Sequence, residues 1–274
     1  MDNILKITNV SKKYDKKLVL DKVNMSINRG DIYGFVGENG SGKTTIIRLI
    51  TGLIFPNEGE IELFGVNSKS SDVLSVRKRV GAIVETPSIY KNMSAKENLL
   101  TQASLLNITD SSKIDSVLEM VGLGYLINDK KHAGNFSLGM RQRLGIAMAL
   151  IADPEFIILD EPMNGLDPQG IVEIRELIVK LNQEHNITFL ISSHILTELS
   201  LIATKYGIIS KGKMINEITN EELKNECRDY LFIKSEDNDK LEQILINFVE
   251  PSNIQRMGNC VRVYGDTNLN ELFK

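Results

Sequence analysis

Apolar and polar residues alternate between strand-like and helix-like patterns along the first part of the chain. The apolar run at 32–36 leads into a glycine-rich turn, and helical spacing follows at 44–50. Short apolar segments at 59–64 and 81–84 are typical of further strands. Strand and helix signals in alternation predict an α/β core.

The pattern becomes helical between residues 95 and 152. Apolar residues recur at helical spacing after Asp110, and Gly122 is a suitable stop. Another helix is predicted at 141–152, ended by Pro154. The chain therefore carries a helical block inserted between two parts of a strand-rich core.

Strand character returns at 156–159, and Asp167-Pro168 is a good helix start because proline suits the first helical position. The next predicted elements are a strand at 187–192, a helix at 195–203 and a hairpin at 206–218 that turns at Lys211-Gly212. These elements complete a main domain at 1–218, with a helical subdomain near 86–154.

The pattern changes after about residue 220. A strand at 229–233, a helix at 239–248 and a strand at 261–264 predict a small β-α-β appendage. Residues 270–274 look like the beginning of another helix, which leaves open an incomplete end. We interpret 219–274 as a C-terminal accessory region.

Composition narrows the class of protein. Of the 274 residues, 42% are hydrophobic and 25% charged, as in globular proteins with a full core. The formal net charge of -4 gives no basic footprint, so nucleic acid is not expected as a partner. Cys227 and Cys260 lack metal-ligand spacing, and reduced structural thiols fit a cytosolic protein.

Membrane signals are weak in this sequence. The N-terminal residues lack the basic region, apolar run and cleavage site of a secretory signal. No stretch approaches the roughly 20 apolar residues that span a bilayer. A role at a membrane would therefore require docking on a separate membrane-spanning protein.

A phosphate-binding motif lies between the strand at 32–36 and the helix that follows it. The motif G-x-x-x-x-G-K-[ST] is matched by Gly37, Glu38, Asn39, Gly40, Ser41, Gly42, Lys43 and Thr44, and Thr45 follows. Its backbone N–H groups and the positive end of the helix would enclose phosphate oxygens. Lys43 is expected on the β- and γ-phosphates of ATP and Thr44 on Mg²⁺. An accidental glycine-rich turn is the alternative.

Two carboxylates follow the buried strand at 156–159. Asp160 is placed at its polar end to hold Mg²⁺ directly or through water, and Glu161 to polarise an attacking water. Taken alone, the pair could be solvated residues at the end of a strand. The phosphate-binding motif favours the catalytic interpretation.

Over most of residues 1–218 the chain resembles the ATP-binding subunits of ABC transporters. In the signature that the family writes as LSGGQ, Ser137 and Gly139 match, while Leu138 replaces the first glycine and Met140 the glutamine. A helix N-terminus with a small hydroxyl residue suits a γ-phosphate. The resemblance implies that this phosphate belongs to ATP on the other subunit.

The resemblance implies roles for three further positions. Asp167 lies in the loop that crosses between subunits, His194 is the switch histidine at the γ-phosphate, and Tyr14 stacks on adenine. With Lys43 and Glu161, His194 completes the expected catalytic set. A structural histidine and an ordinary exposed tyrosine are the alternatives.

Glu85 is a departure from the family pattern. The family usually has glutamine here, which joins Mg²⁺ and water to the loop that touches the membrane partner. Glutamate keeps the oxygen ligand but adds negative charge, so coupling would depend more on metal and pH. A harmless substitution is the alternative. With the segment 137–140, Glu85 resembles the exporters that protect bacteria against bacitracin and lantibiotics.

The resemblance implies a P-loop NTPase fold, a RecA-like ABC ATPase core with an N-terminal antiparallel β portion, an inserted helical subdomain and a small α+β appendage. A homodimer would sandwich ATP head to tail and drive integral membrane permease subunits from the cytoplasmic face of the cell membrane. The alternatives are another exporter, a non-transport ABC ATPase, or a module without catalysis. The last is disfavoured because Lys43, Glu161 and His194 are all in place.

Overall fold

The computed structural model describes residues 3–226, 230–235, 237–258 and 260–264. Contacts divide the chain into two units, Met1–Asn220 and Glu221–Lys274. The strands of the first unit form a four-stranded sheet and a six-stranded sheet.

The four-stranded sheet is antiparallel. Its strands are β1 (Asn3–Tyr14), β2 (Lys17–Asn28), β4 (Glu58–Leu63) and β5 (Val66–Asn67), in the order β2-β1-β4-β5. Val23, Met25 and Ile27 alternate with more exposed residues and are buried, which puts one face of the sheet on the core. This is the N-terminal antiparallel portion that the sequence predicts.

The six-stranded sheet is mostly parallel, and the candidate site residues lie at the carboxyl ends of its strands. Its strands are β3 (Ile32–Val36), β6 (Val80–Ile83), β7 (Phe156–Asp160), β8 (Thr188–Ser193), β9 (Lys205–Ser210) and β10 (Lys213–Thr219), in the order β10-β9-β3-β8-β7-β6. All neighbours are parallel except β10 with β9. Strands β7 and β8 are buried throughout, as expected for a sheet covered on both faces. Their carboxyl ends meet, because Asp160 pairs with Ser192.

The helices of the first unit follow the predicted order except for a short helix at Val73–Arg77, which was not predicted. They are α1 (Lys43–Thr51), α2 (Val73–Arg77), α3 (Ala95–Leu105), α4 (Ser112–Met120), α5 (Leu138–Leu150), α6 (Pro168–His185) and α7 (Leu196–Leu199). Helices α3, α4 and α5 contact one another and form the predicted helical block. Asp167 caps α6 through the Gly170 N–H, and proline occupies its first turn.

In the first unit, two predicted helix boundaries differ from the structure by three residues or more. Helix α5 begins at Leu138 rather than near 141, because the Ser137 side chain accepts a hydrogen bond from the Met140 N–H and caps it. Helix α7 covers only Leu196–Leu199 of the predicted 195–203. Turns follow it, in which the Ala203 N–H bonds the Leu199 carbonyl oxygen, and the Thr204 N–H then bonds the Ile32 carbonyl oxygen beside the start of β9.

At the amino ends of strands β6 and β7, away from the carboxyl ends, Glu155 forms ion pairs with two arginines. Its carboxylate accepts from Arg79 Nε at 2.5 Å and from a terminal nitrogen of Arg29 at 2.6 Å. These guanidinium groups, Arg79 above all, hold the pKa of Glu155 at about 2. Arg29 follows β2, so the ion pairs tie the two sheets together away from the site.

The second unit contains one strand and one helix beyond the predicted β-α-β. Helix α8 (Asn220–Glu226) leads into β11 (Tyr230–Lys234), α9 (Asn238–Leu245), β12 (Ile254–Met257) and β13 (Cys260–Tyr264), with the antiparallel sheet order β11-β13-β12. Leu245, Val261 and Val263 form its core. Strand β12 was missed because it is only four residues long, two of them polar, and mostly exposed. The helix start predicted at 270–274 lies outside the described residues.

Candidate nucleotide site

The loop after β3 has a backbone that requires glycine. Gly40 and Gly42 adopt φ values of 78° and 114°, in the left-handed region. A Cβ on Gly37 would lie 2.4 Å from the Ile209 carbonyl oxygen. Each glycine of the motif is therefore needed by the loop itself.

The N-terminus of α1 is open to an anion. Its N-cap is Gly42, with no side-chain cap, whereas α3, α5 and α6 are capped by side chains. The buried Ser41 hydroxyl finds no hydrogen-bond partner among the described residues. Uncapped N–H groups and a lone hydroxyl fit the oxygen-rich phosphates of a nucleotide.

A cavity of about 270 Å³ lies against this loop. It is lined by Val19, Asn39, Gly40, Gly42, Lys43, Thr44, Thr45 and Glu161. The Lys43 side chain is only 5% exposed, and its Nζ donates to the carbonyl oxygens of Gly37 at 2.6 Å and Glu38 at 3.3 Å. The same Nζ lies 3.2 Å from Glu161 Oε1. The ammonium is thus held at the loop.

Asp160 links the end of β7 to α1. Thr44 Oγ1 donates to Asp160 Oδ2 at 2.9 Å, and Ser192 Oγ donates to Asp160 Oδ1 at 2.5 Å. Hydroxyl and carboxylate oxygens are the ligands that Mg²⁺ prefers in proteins. The Thr44–Asp160 pair is therefore chemically suited to a magnesium ion.

Glu161 lies between a cation and an imidazole. Its Oε1 is next to Lys43 Nζ, and its Oε2 is 2.7 Å from His194 Nδ1. The Glu161 backbone has φ 50°, an uncommon conformation for a residue with a side chain. These two contacts fix the position of the partly buried carboxylate beside the cavity.

The structure brings five predicted residues together: Lys43, Thr44, Asp160, Glu161 and His194. Tyr14 is 41% exposed at the end of β1, with Lys12 Nζ 5.3 Å from its ring centroid, and does not line the cavity.

Glu85 has a partner that the sequence did not suggest. Its carboxylate forms an ion pair with the guanidinium of Arg48, on α1. Its backbone φ is 66°, and its side chain is 59% exposed. The expected metal ligand is thus engaged by a cation.

Ser137, Gly139 and Asp167 form a second surface. They line a cavity of about 600 Å³ between the signature and the crossing loop, together with Leu138 and Gly165. Leu138 Cδ2 would lie 3.3 Å from a Cβ on Gly165, so the substituted signature position packs on the crossing loop. The two cavities share no lining residue.

Sequence reasoning missed Arg48 and Ser192. Arg48 carried no signal, because its partner Glu85 is distant in sequence. Ser192 carried a weak signal, since a buried hydroxyl at the end of an apolar strand needs a hydrogen-bond partner.

Comparison with known proteins agrees with this geometry. The family described as ABC transporter matches residues 20–164. The bacitracin transport ATP-binding protein BcrA of Bacillus licheniformis is 44% identical over 280 residues, which cover 100% of this chain and 90% of that protein. The lantibiotic transport ATP-binding protein SrtF of Streptococcus pyogenes is 44% identical over 214 residues, 78% of this chain and 90% of its own.

A solved structure shares the fold. The cbiO1 protein of Clostridium perfringens, part of the ABC transporter complex cbiONQ, superposes with a TM-score of 0.74 and 27% identity, covering 82% of this chain and 92% of its own. The family match includes both the phosphate-binding loop and the Asp160–Glu161 pair. The chain therefore belongs to the ABC transporter family, as an ATP-binding and ATP-hydrolysing subunit.

Proposed function

We propose that the chain powers the export of antimicrobial peptides such as bacitracin or lantibiotics, and so protects the cell that makes or meets them. The observation that carries this proposal is the 44% identity to BcrA along the whole chain, second unit included. SrtF, named for lantibiotic transport, supports the same class of cargo. Glu85 and the altered signature at 137–140 are consistent with that subgroup.

Magnesium fits the site as a cofactor. Thr44 and Asp160 would hold it, with Glu85 as a further candidate ligand once its carboxylate leaves Arg48. When bound, Mg²⁺ neutralises charge that develops on the β- and γ-phosphates. Among the described residues there is no cluster of three or more His, Cys, Asp or Glu suited to a metal. A site with few protein ligands is usual for Mg²⁺, which also binds phosphates and water.

The chain's own residues divide the catalytic work. Lys43 and the N–H groups of α1 would bind the triphosphate and orient it. Glu161 would polarise the attacking water, and His194, in contact with Glu161, would hold that carboxylate and the γ-phosphate. Tyr14 would stack on the adenine ring.

We further propose a head-to-tail homodimer. Within one subunit the phosphate loop and the signature surface line separate cavities, which supports a site completed by a second copy. Ser137, Gly139 and Asp167 of that copy would close over the γ-phosphate. Closure would act on permease subunits at the cytoplasmic face of the membrane. Among the described residues no helix is long and apolar enough to cross a bilayer.

The test is reconstitution with the permease that co-purifies with the chain. In proteoliposomes, bacitracin or a lantibiotic is expected to raise ATP turnover several-fold, whereas an unrelated cationic peptide should not. Complexes that carry Glu161→Gln control for contaminating ATPases. A robust basal ATPase that no antimicrobial peptide stimulates would contradict the proposed cargo but leave the motor role intact.

Glu85→Gln is expected to leave most of the ATPase activity and to change peptide resistance in cells. The exposed ion pair with Arg48 contributes only about 0–1 kcal/mol, so the fold should tolerate its loss. Basal ATPase rates and minimal inhibitory concentrations of bacitracin provide the measurement.

Arg48→Gln is the matched control, because it breaks the same ion pair and keeps the Glu85 carboxylate. If resistance changes in Glu85→Gln but not in Arg48→Gln, the effect is due to the carboxylate. If resistance changes equally in both variants, the effect is due to the ion pair. If Glu85→Gln matches wild type in both assays, the substitution is harmless.

A further inference from the structure

Ser192 is a buried polar residue at the end of an apolar strand. Its side chain is fully buried, and its hydroxyl makes two hydrogen bonds. The hydroxyl donates to Asp160 Oδ1 at 2.5 Å and accepts from the Glu161 N–H at 2.9 Å. One oxygen atom therefore contacts both members of the carboxylate pair.

The first hydrogen bond fixes the orientation of Asp160. This residue is 2% exposed, and a buried carboxylate without partners would be strongly unfavourable. Ser192 holds Oδ1 on the sheet side, while Oδ2 accepts from Thr44 Oγ1. Rotation of the carboxylate would break both hydrogen bonds. The oxygen next to Thr44 is thus kept where a metal ion would need it.

The second hydrogen bond fixes the backbone of Glu161. With φ 50°, this residue has a conformation that persists only when its surroundings hold it in place. The Ser192 hydroxyl binds its N–H, and the side chain then reaches Lys43 and His194. A single hydroxyl therefore supports both the backbone conformation of Glu161 and the direction of its side chain.

We propose that Ser192 is a positioning residue that aligns Asp160 toward the metal and Glu161 toward the water. The proposal rests on the roles of Asp160 and Glu161 in the proposed function. Strand pairing puts Ser192 opposite Asp160, and His194 follows two residues later on the same strand end. Ser192 itself touches neither nucleotide nor metal. Its effect is transmitted through the two carboxylates.

Ser192→Ala tests the proposal. Mutation of a residue that hydrogen-bonds a metal-binding carboxylate typically lowers metal affinity or activity 10- to 100-fold. We expect kcat to fall roughly 10-fold or more, and the Mg²⁺ concentration for half-maximal ATPase to rise by about the same factor. Affinity for a fluorescent ATP analogue in EDTA should stay within about twofold, because the loop that binds phosphate is intact. The gain in that affinity on adding Mg²⁺ should shrink.

Thr188→Val is the matched control. Thr188 lies at the other end of the same strand, is fully buried, and its hydroxyl accepts from the Gly30 N–H at 2.9 Å. The variant loses one hydrogen bond of a buried hydroxyl and leaves the Asp160 and Glu161 carboxylates untouched. It should lose thermal stability, as Ser192→Ala does, but keep the wild-type Mg²⁺ dependence. Ser192→Thr keeps the hydroxyl and should retain that dependence too.

The outcomes separate the two proposals. If wild-type ATPase needs Mg²⁺ and Ser192→Ala behaves like Thr188→Val in kcat and metal dependence, the role of Ser192 is refuted. If wild type shows no Mg²⁺-dependent ATPase, the proposed function itself fails. Should Ser192→Ala not be recovered folded, Ser192→Cys keeps the volume with a weaker donor and allows the same comparison.

Discussion

Glu161→Gln is expected to bind ATP with near wild-type affinity and to hydrolyse it at least about 100-fold more slowly, since a general base contributes about 10²–10⁴ in rate. The amide keeps the volume of the side chain but cannot accept a proton from water. Phosphate release measures the rate. Size-exclusion chromatography with ATP should detect a long-lived dimer, because hydrolysis no longer opens it.

Glu176→Gln controls for the chemical change. Glu176 is an exposed residue of α6, so the same substitution there should leave turnover and dimer lifetime at wild-type values. Wild-type turnover in Glu161→Gln would remove Glu161 from the role of base. Slow turnover without a long-lived dimer would instead argue against closure of two copies over ATP.

Lys43→Ala should weaken ATP binding by roughly 10- to 100-fold. A hydrogen bond from a charged group contributes about 1.5–3 kcal/mol, and Lys43 supplies the only ammonium lining the cavity at the loop as the structure describes it. Titration of a fluorescent ATP analogue measures the change. Unchanged affinity would count against the phosphate-binding loop.

Because the Lys43 side chain is almost fully buried, alanine also leaves an empty volume. Lys43→Met removes the charge and keeps most of that volume. If the charge is what binds phosphate, both variants should lose affinity to a similar extent, while only the alanine variant should lose appreciable stability. Thermal unfolding without nucleotide separates the two effects.

The centre of the six-stranded sheet could be predicted because β7 and β8 are buried on both faces. Such strands give nearly continuous apolar runs, and the run at 156–159 corresponds to β7, Phe156–Asp160. The loop at 37–45 could also be predicted from the sequence. Its glycines are required by the backbone itself, so they leave a fixed spacing in the sequence.

The remaining features depend on neighbours that are distant in sequence. The Ser192–Asp160 hydrogen bond and the Arg48–Glu85 ion pair form only once strands and helices are assembled, so local pattern does not reveal them. Strand β12 has two polar residues between two apolar ones and lacks the alternation that marks a half-buried strand. The early start of α5 follows from the Ser137 cap, which the sequence showed only as part of a signature.

The contact of Lys43 Nζ with Glu161 Oε1 has a consequence for the order of events. The Lys43 ammonium cannot pair with the Glu161 carboxylate and bind a triphosphate equally strongly at the same time. A polyanion that enters the loop competes for this cation and draws it away, leaving Glu161 to His194 and to solvent. If Lys43 binds the triphosphate and Glu161 is the base, nucleotide binding and release of that base would be one exchange of partners. Under the proposed roles, the Glu161 carboxylate would therefore become free to act on water only when a nucleotide occupies the loop.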